Sequence, residues 1–373
     1  MYEFPGGGIT MRFIFRGGYA LLFIPVLFFL GRQIPAGAAV SGPCSNCHTM
    51  HNSQAGVTIT PVNRASLVTS DCVGCHSSSG TETIVQLGST RIPIVYNTAS
   101  PPVNMLAGGN FHWVAKNGDQ FGHNVRGINS PDSTLPYGPG GGISCGDSCH
   151  KSLSLPDMTG IEGVGSNGCQ GCHGTVKHHG VSVAGQPATA ASGWYRFLGH
   201  SSMHDGFFPG NGVAGIEDPD WEQNPTSTNH NIYFGGDGTR EQTPKALSQF
   251  CTGCHQNFHA PGFPTGLTVV DNGGGGNPWL RHPTNYAIPN KGEFAPLFST
   301  PYNPLVPVAK PVLTVYQAAK IETGDQVTCI SCHRAHGSPY PDMLRWDYSG
   351  MIAHAGGDAT GTGCFFCHTA KDH

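Results

Sequence analysis

The fourteen cysteines of this 373-residue chain fall into seven pairs, and a histidine follows the second cysteine of every pair. The groups are Cys44-Cys47-His48, Cys72-Cys75-His76, Cys145-Cys149-His150, Cys169-Cys172-His173, Cys251-Cys254-His255, Cys329-Cys332-His333 and Cys364-Cys367-His368. Six read C-x-x-C-H, and the third, CGDSCH, has one extra residue between its cysteines. C-x-x-C-H is the attachment signature of a c-type haem. Two thioethers hold one edge of the porphyrin, and the adjacent histidine lies under the iron as its proximal ligand. Three intervening residues still permit this through a looser loop, so the third site stays open to the alternative of being empty. Two other readings compete. C-x-x-C also opens zinc sites, and an exported cysteine-rich chain is ordinarily a disulfide framework. Neither accounts for seven histidines in register with seven pairs and no stray cysteine. The expected cofactor is haem c (heme c), seven copies, covalently bound.

The rest of the composition agrees. Charged residues are 11% of the chain, against roughly 25% in typical soluble domains. Glycine (54) and proline (29) are abundant, which suits a backbone that turns often and approaches flat rings closely. Such a chain is expected to be rich in loops, with something other than side chains filling its interior.

The N-terminus reads as a secretory signal. Met11-Arg12 and Arg16 form a basic region, Tyr19 to Leu30 an apolar run of 12 residues, and Ala36-Gly37-Ala38 a cleavage site. A bilayer span needs about 20 apolar residues, so this run is short for an anchor; an uncleaved anchor is the competing reading. Met11 is the more natural start. The expected organisation is an N-terminal extension and signal peptide over 1–38, then a single heptahaem cytochrome c domain over 39–373, exported and without a transmembrane segment after signal removal.

Twenty histidines, less seven proximal ones, leave 13 to supply sixth ligands. Methionine ligation would raise the reduction potential, but there are only eight methionines and two lie before or within the signal. Histidine is therefore expected opposite every proximal histidine. His51 and His336 follow a proximal histidine by three residues, and His259 by four. Such a residue lies on the same side of the attachment loop as its own proximal ligand, so it should serve a neighbouring iron. His178 and His179 follow at five and six. The other candidates are His112, His123, His200, His204, His230, His282, His354 and His373.

Several blocks carry a resemblance. GPCSNCHTMHNS at 42–53, GHNVRGIN at 122–129, WYRFLG at 194–199, CTGCHQNFH at 251–259, LRHP at 280–283 and CISCHRAHGSPYPDMLRWDY at 329–348 are the residues concerned. With them the chain resembles the multihaem outer-surface cytochromes of metal-reducing bacteria, of the filament-forming OmcS type. The resemblance implies a chain that is mostly coil with short helices and few strands, wrapped around a stacked chain of haems, here seven. It also implies bis-histidine ligation with His51, His123, His259, His282 and His336 as distal ligands. Two more are needed, and His179 (in preference to His178) and His230 are taken for them. The OmcS-type subunit has six haems, so this chain departs from it in the 145–173 region. Arg126, Arg196, Arg281, Arg334 and Arg345, beside these blocks, are candidate partners for haem propionates. The acidic run from Glu217 to Glu222 lacks the spacing of an EF-hand calcium loop and reads as a solvated turn.

The expected function is electron transfer, outside the cell or at its outer surface, otherwise in the periplasm. The sharper expectation is a homopolymer in which His51 ligates a haem of the next subunit, passing electrons to other redox proteins or an extracellular acceptor. Nucleic acid is not an expected partner. A multihaem oxyanion reductase needs an open iron, often marked by C-x-x-C-K, which does not occur here; a discrete periplasmic shuttle is the remaining alternative.

Overall fold

Regular structure in this chain starts often and stops within a turn. The computed structural model describes residues 37–38, 40–131, 153–154, 167–183, 185–199, 212–236, 245–252, 255, 282–314, 319–354 and 361–371, all within the unit Pro35–His373. Cys145, Cys149, His150, Cys254, His259 and Arg281 lie outside the described residues, as does nearly all of the signal segment.

The longest α-helices described are His112–Asn117 and Leu247–Thr252, six residues each. The longest strands are Ile84–Leu87 and Thr90–Pro93, four residues each and paired as a hairpin. One five-stranded sheet ties distant parts together in the order Tyr286–Ala287, Gln326–Val327, Ala309–Lys310, Ile232–Phe234, Gly215–Ile216. Only Ile232–Phe234 and Ala309–Lys310 run parallel. The apolar core is divided into three small clusters, around Leu297 and Ile321, around Phe111 and Val114, and around Tyr195 and Tyr233. The chain is thus mostly coil with short helices and strands, as its glycine and proline content leads one to expect. No described helix is long and apolar enough to cross a membrane.

Gly37–Ala38 forms a short strand with Val181–Ser182 at the expected cleavage site. Cleavage after Ala38 removes that pairing but leaves the Val40 N–H bond to the His178 carbonyl at 2.9 Å.

The attachment motifs are where helical turns form. In each of the six described motifs, the histidine N–H donates to the carbonyl of the first cysteine, four residues back. The distances are 2.8 Å for His48–Cys44, 2.9 Å for His76–Cys72 and His173–Cys169, 3.0 Å for His255–Cys251 and His368–Cys364, and 3.1 Å for His333–Cys329. One closed turn is what two intervening residues allow, and it places the proximal imidazole beside the attachment point. Caps fix where the turn begins. Asp71 accepts from the Gly74 N–H at 2.7 Å, and Thr328 and Ser331 form a reciprocal capping box.

Candidate haem-ligation sites

A histidine binds iron through Nε2 only if its other nitrogen carries the proton. The chain enforces this tautomer repeatedly. Nδ1 of His48 donates to the Ser66 carbonyl at 2.8 Å, His76 to Pro93 at 2.8 Å, His173 to Arg196 at 2.9 Å and His333 to Asp342 at 2.8 Å. Three of these four carbonyls belong to left-handed, non-glycine residues: Ser66 at φ 51°, Arg196 at 48° and Asp342 at 58°, each followed by a second left-handed residue. Side chains other than glycine avoid this region, and strain of this kind, about 1–3 kcal/mol per residue, gathers at functional sites. Here it aims a carbonyl at a proximal imidazole.

Five proximal imidazoles face a second imidazole. The ring centres are 6.0 Å apart for His48–His179, 6.2 Å for His76–His178, 6.0 Å for His173–His336, 5.7 Å for His255–His123 and 6.2 Å for His368–His282. Two imidazole nitrogens bound to one metal at about 2 Å each stand about 4 Å apart, which puts the ring centres about 6 Å apart. The observed spacing is therefore that of two axial ligands around one iron. In the His123–His255 pair the Nε2 atoms face each other at 3.4 Å, slightly short of that separation. Two distal rings are oriented as the proximal ones are: Nδ1 of His123 donates to Ala335 at 2.9 Å and that of His282 to Pro283 at 2.8 Å, whereas Nδ1 of His336 is buried with no hydrogen-bond partner.

The His336 loop is pressed onto the His123 segment. His336 N–H donates to Gly108 at 2.7 Å, and Ser338 N–H to Phe121 at 3.0 Å. Gly337, at φ 123°, has room for no side chain: a Cβ there would lie 2.9 Å from the carbonyls of both Asn110 and Phe121.

Neighbour relations order the sites. Burial, then nearby imidazoles, lower the His178 pKa to about 4; the neighbours are His76, His179 and His48. His336 is lowered to about 3, again by burial first, then by His173, His123 and His76. His123 is lowered by burial and, more weakly, by His333. Burial and the neighbouring Cys364 and Cys367 push the Cys332 thiol up to about 12. Adjacent His178 and His179 bring the rings of His76 and His48 together, and the Ala335 carbonyl, next to His336, holds the His123 ring that faces His255.

Two buried arginines complete the fit. Arg334 donates to the carbonyls of Leu106 and Ala107, and Arg345 to Ile330. Arg334 Nε and Arg345 Nη1 are buried with no hydrogen-bond partner. Burial and then Arg345 pull the Arg334 pKa down to about 9, with Glu222 offsetting part of this. Two adjacent guanidiniums short of acceptors are what a propionate carboxylate would satisfy.

Other expectations fall differently. His230 is held in the interior. It is 1% exposed, its ring lies 3.8 Å from that of Tyr302, and its Nδ1 donates to the Asn231 carbonyl. His178, held as the alternative to His179, faces a proximal ring of its own. The acidic run is no solvated turn. Asp218 and Glu222 are buried; Asp218 accepts from the N–H groups of Asp220 and Glu222, and Glu222 accepts from Asn231 N–H. Arg196 is engaged within the protein, with Glu217 at 3.6 Å and with the Asp218 carbonyl. Arg126 is exposed. His112, one of the remaining candidates, is buried with Nδ1 on the Asn97 carbonyl and Nε2 unpartnered.

Known proteins fit this picture. Residues 320–373 match the family described as a doubled CXXCH motif. Over 85% of this chain and 82% of the relative, the sequence is 25% identical to the C-type cytochrome OmcS of Geobacter sulfurreducens. The chain resembles a C-type cytochrome. Two solved structures from the same organism, an outer membrane cytochrome S filament and OmcS nanowires, align at 19% and 21% identity. Each alignment covers 90% of this chain and 93% of the other, with a TM-score of 0.45. Its seven attachment motifs and this likeness make the chain similar to a multihaem c-type cytochrome.

Proposed function

We propose that this protein conducts electrons outside the cell as the subunit of a cytochrome filament, with seven bis-histidine haems. The observation that carries the reading is the five facing imidazole pairs. Each is spaced for one shared iron, and on His48, His76, His173, His123 and His282 a bond from Nδ1 to a backbone carbonyl leaves Nε2 directed at the metal. Haem c, when bound, supplies a one-electron ferric/ferrous couple at each site.

The proposed distal ligands are His179 for the site of His48, His178 for His76, His336 for His173, His123 for His255 and His282 for His368. His259, outside the described residues, is proposed for the site of His150. His178 takes the place first given to His230. One proximal ring, His333, faces no imidazole among the described residues, and one distal candidate, His51, is exposed with no ring partner described. His51 and Asn52 both take left-handed backbone, at φ 55° and 62°. Around them Met50, Val57, Ile59, Val62 and Leu67 form an exposed apolar surface. These features support a junction in which His51 of one copy completes the iron site of His333 in the next. A head-to-tail contact of this type does not close and so builds a filament.

The test is mass spectrometry and electron microscopy of the secreted fraction. Seven haem increments per chain and uniform filaments are expected; fewer increments, or monomers alone, would refute the corresponding part of the reading.

A further inference from the structure

The proximal histidines differ in what holds their second nitrogen. His48, His76, His173 and His333 each donate Nδ1–H to a backbone carbonyl. His368 instead faces a carboxylate: its Nδ1 lies 3.3 Å from Glu293 Oε1. Glu293 is positioned for this contact by its own turn, the 3-10 helix Gly292–Ser299, and its side chain is only 19% exposed. The Thr369 hydroxyl donates to the Glu293 carbonyl, which pins the turn against the attachment motif. Lys371 Nζ holds the same carboxylate from the other side, at 2.9 Å and 3.0 Å from its two oxygens.

A neutral carbonyl and an anionic carboxylate do different things to an imidazole. The carboxylate draws the Nδ1 proton toward itself, makes the ring more basic and strengthens its donation to the metal. Stronger donation favours ferric over ferrous iron. Hydrogen bonding behind an axial ligand is one of the levers by which proteins set haem potential. Lys371 opposes the effect, but it is 53% exposed, so its charge is shared with water and neutralises the carboxylate only in part.

We propose that Glu293 is a positioning residue that lowers the reduction potential of the haem attached at Cys364 and Cys367, so that this haem accepts an electron later than those of His48, His76, His173 and His333. The inference rests on the haem c reading of the motif. Electrons would leave this site readily for its neighbours, and each subunit would carry one raised step in its electron path.

The test is a redox titration of the full secreted protein, followed by electron paramagnetic resonance, for wild type, Glu293→Gln and Lys371→Gln. Glutamine keeps an oxygen that can accept from Nδ1 and loses only the charge. The midpoint of one haem should rise in Glu293→Gln and fall in Lys371→Gln, with the other haems unmoved. Unchanged midpoints in both variants, or shifts of the same sign in both, would overturn the proposal, since a merely structural role predicts no opposition of sign. A peptide spanning 364–368 that carries no haem in the wild-type mass spectrum would instead overturn the haem reading itself.

Discussion

Replacing His51 by alanine removes one axial ligand per junction and leaves the rest of the interface in place, so it isolates what the metal bond contributes. The spectroscopic magnitude follows from the seven attachment motifs. One site in seven loses its sixth ligand, and one-seventh of the oxidised low-spin signal should become high-spin. The mechanical magnitude follows from the apolar surface around His51. Full burial of Met50, Val57, Ile59, Val62 and Leu67 would contribute about 1.5–3 kcal/mol each. That is an upper limit, because Ile59 and Leu67 are already more than half covered, at 42% and 38% exposed. Association itself costs about 4–15 kcal/mol in lost freedom. The apolar contact alone therefore roughly breaks even, and the imidazole–iron bond decides whether copies stay joined. The expected result is monomers or short oligomers by electron microscopy, with haem content unchanged by mass. Added imidazole should restore the low-spin signal without restoring filaments, because it fills the site without linking two chains. Long filaments with an undiminished low-spin signal would refute the argument.

Other consequences can be checked separately. The ring planes of His48–His179 and His76–His178 are nearly parallel, at 22° and 16°, whereas those of His282–His368 cross at 73°. Parallel rings split the iron d orbitals that crossed rings leave nearly degenerate, so electron paramagnetic resonance should resolve ordinary rhombic signals beside at least one strongly anisotropic one. A single uniform class would contradict the geometry. Lys310→Met should cost about 3–5 kcal/mol in urea unfolding at neutral pH, because it strands the buried Asp325 carboxylate, now 2.7 Å from Lys310 Nζ. Burial already raises the Asp325 pKa above its ordinary value. The deficit should therefore shrink as pH falls and the carboxyl takes up a proton; a deficit that grows with acid would be the wrong sign.

The chemistry most legible in the sequence is the chemistry confined to a few consecutive residues. Cysteine, cysteine and histidine within five positions need one helical turn, and one turn is what each described motif forms. The exclusion of His336 from its own haem was legible for the same reason, and the structure turns it toward His173. Ligands chosen by counting were less secure. His178 and His179 are neighbours in one turn, yet they face two different proximal rings. Only the path of the backbone between those rings could reveal that each has a ring of its own. His230 also enters to complete the count, and the ring of Tyr302, 72 residues away, stacks on it. The same packing buries Asp218 and Glu222, and Asn231 joins them, accepting from the Asp218 N–H and donating its own N–H to Glu222. The left-handed turns at Ser66, Arg196 and Asp342 left the faintest trace. Glycine and asparagine mark such turns in most sequences, and neither occupies these positions. Their strain is maintained by what the carbonyl does for an imidazole 9 to 23 residues distant. At His368 a carboxylate from 75 residues away takes that role. The first coordination shell is thus written locally, while the groups that tune it arrive from segments whose meeting only the fold decides.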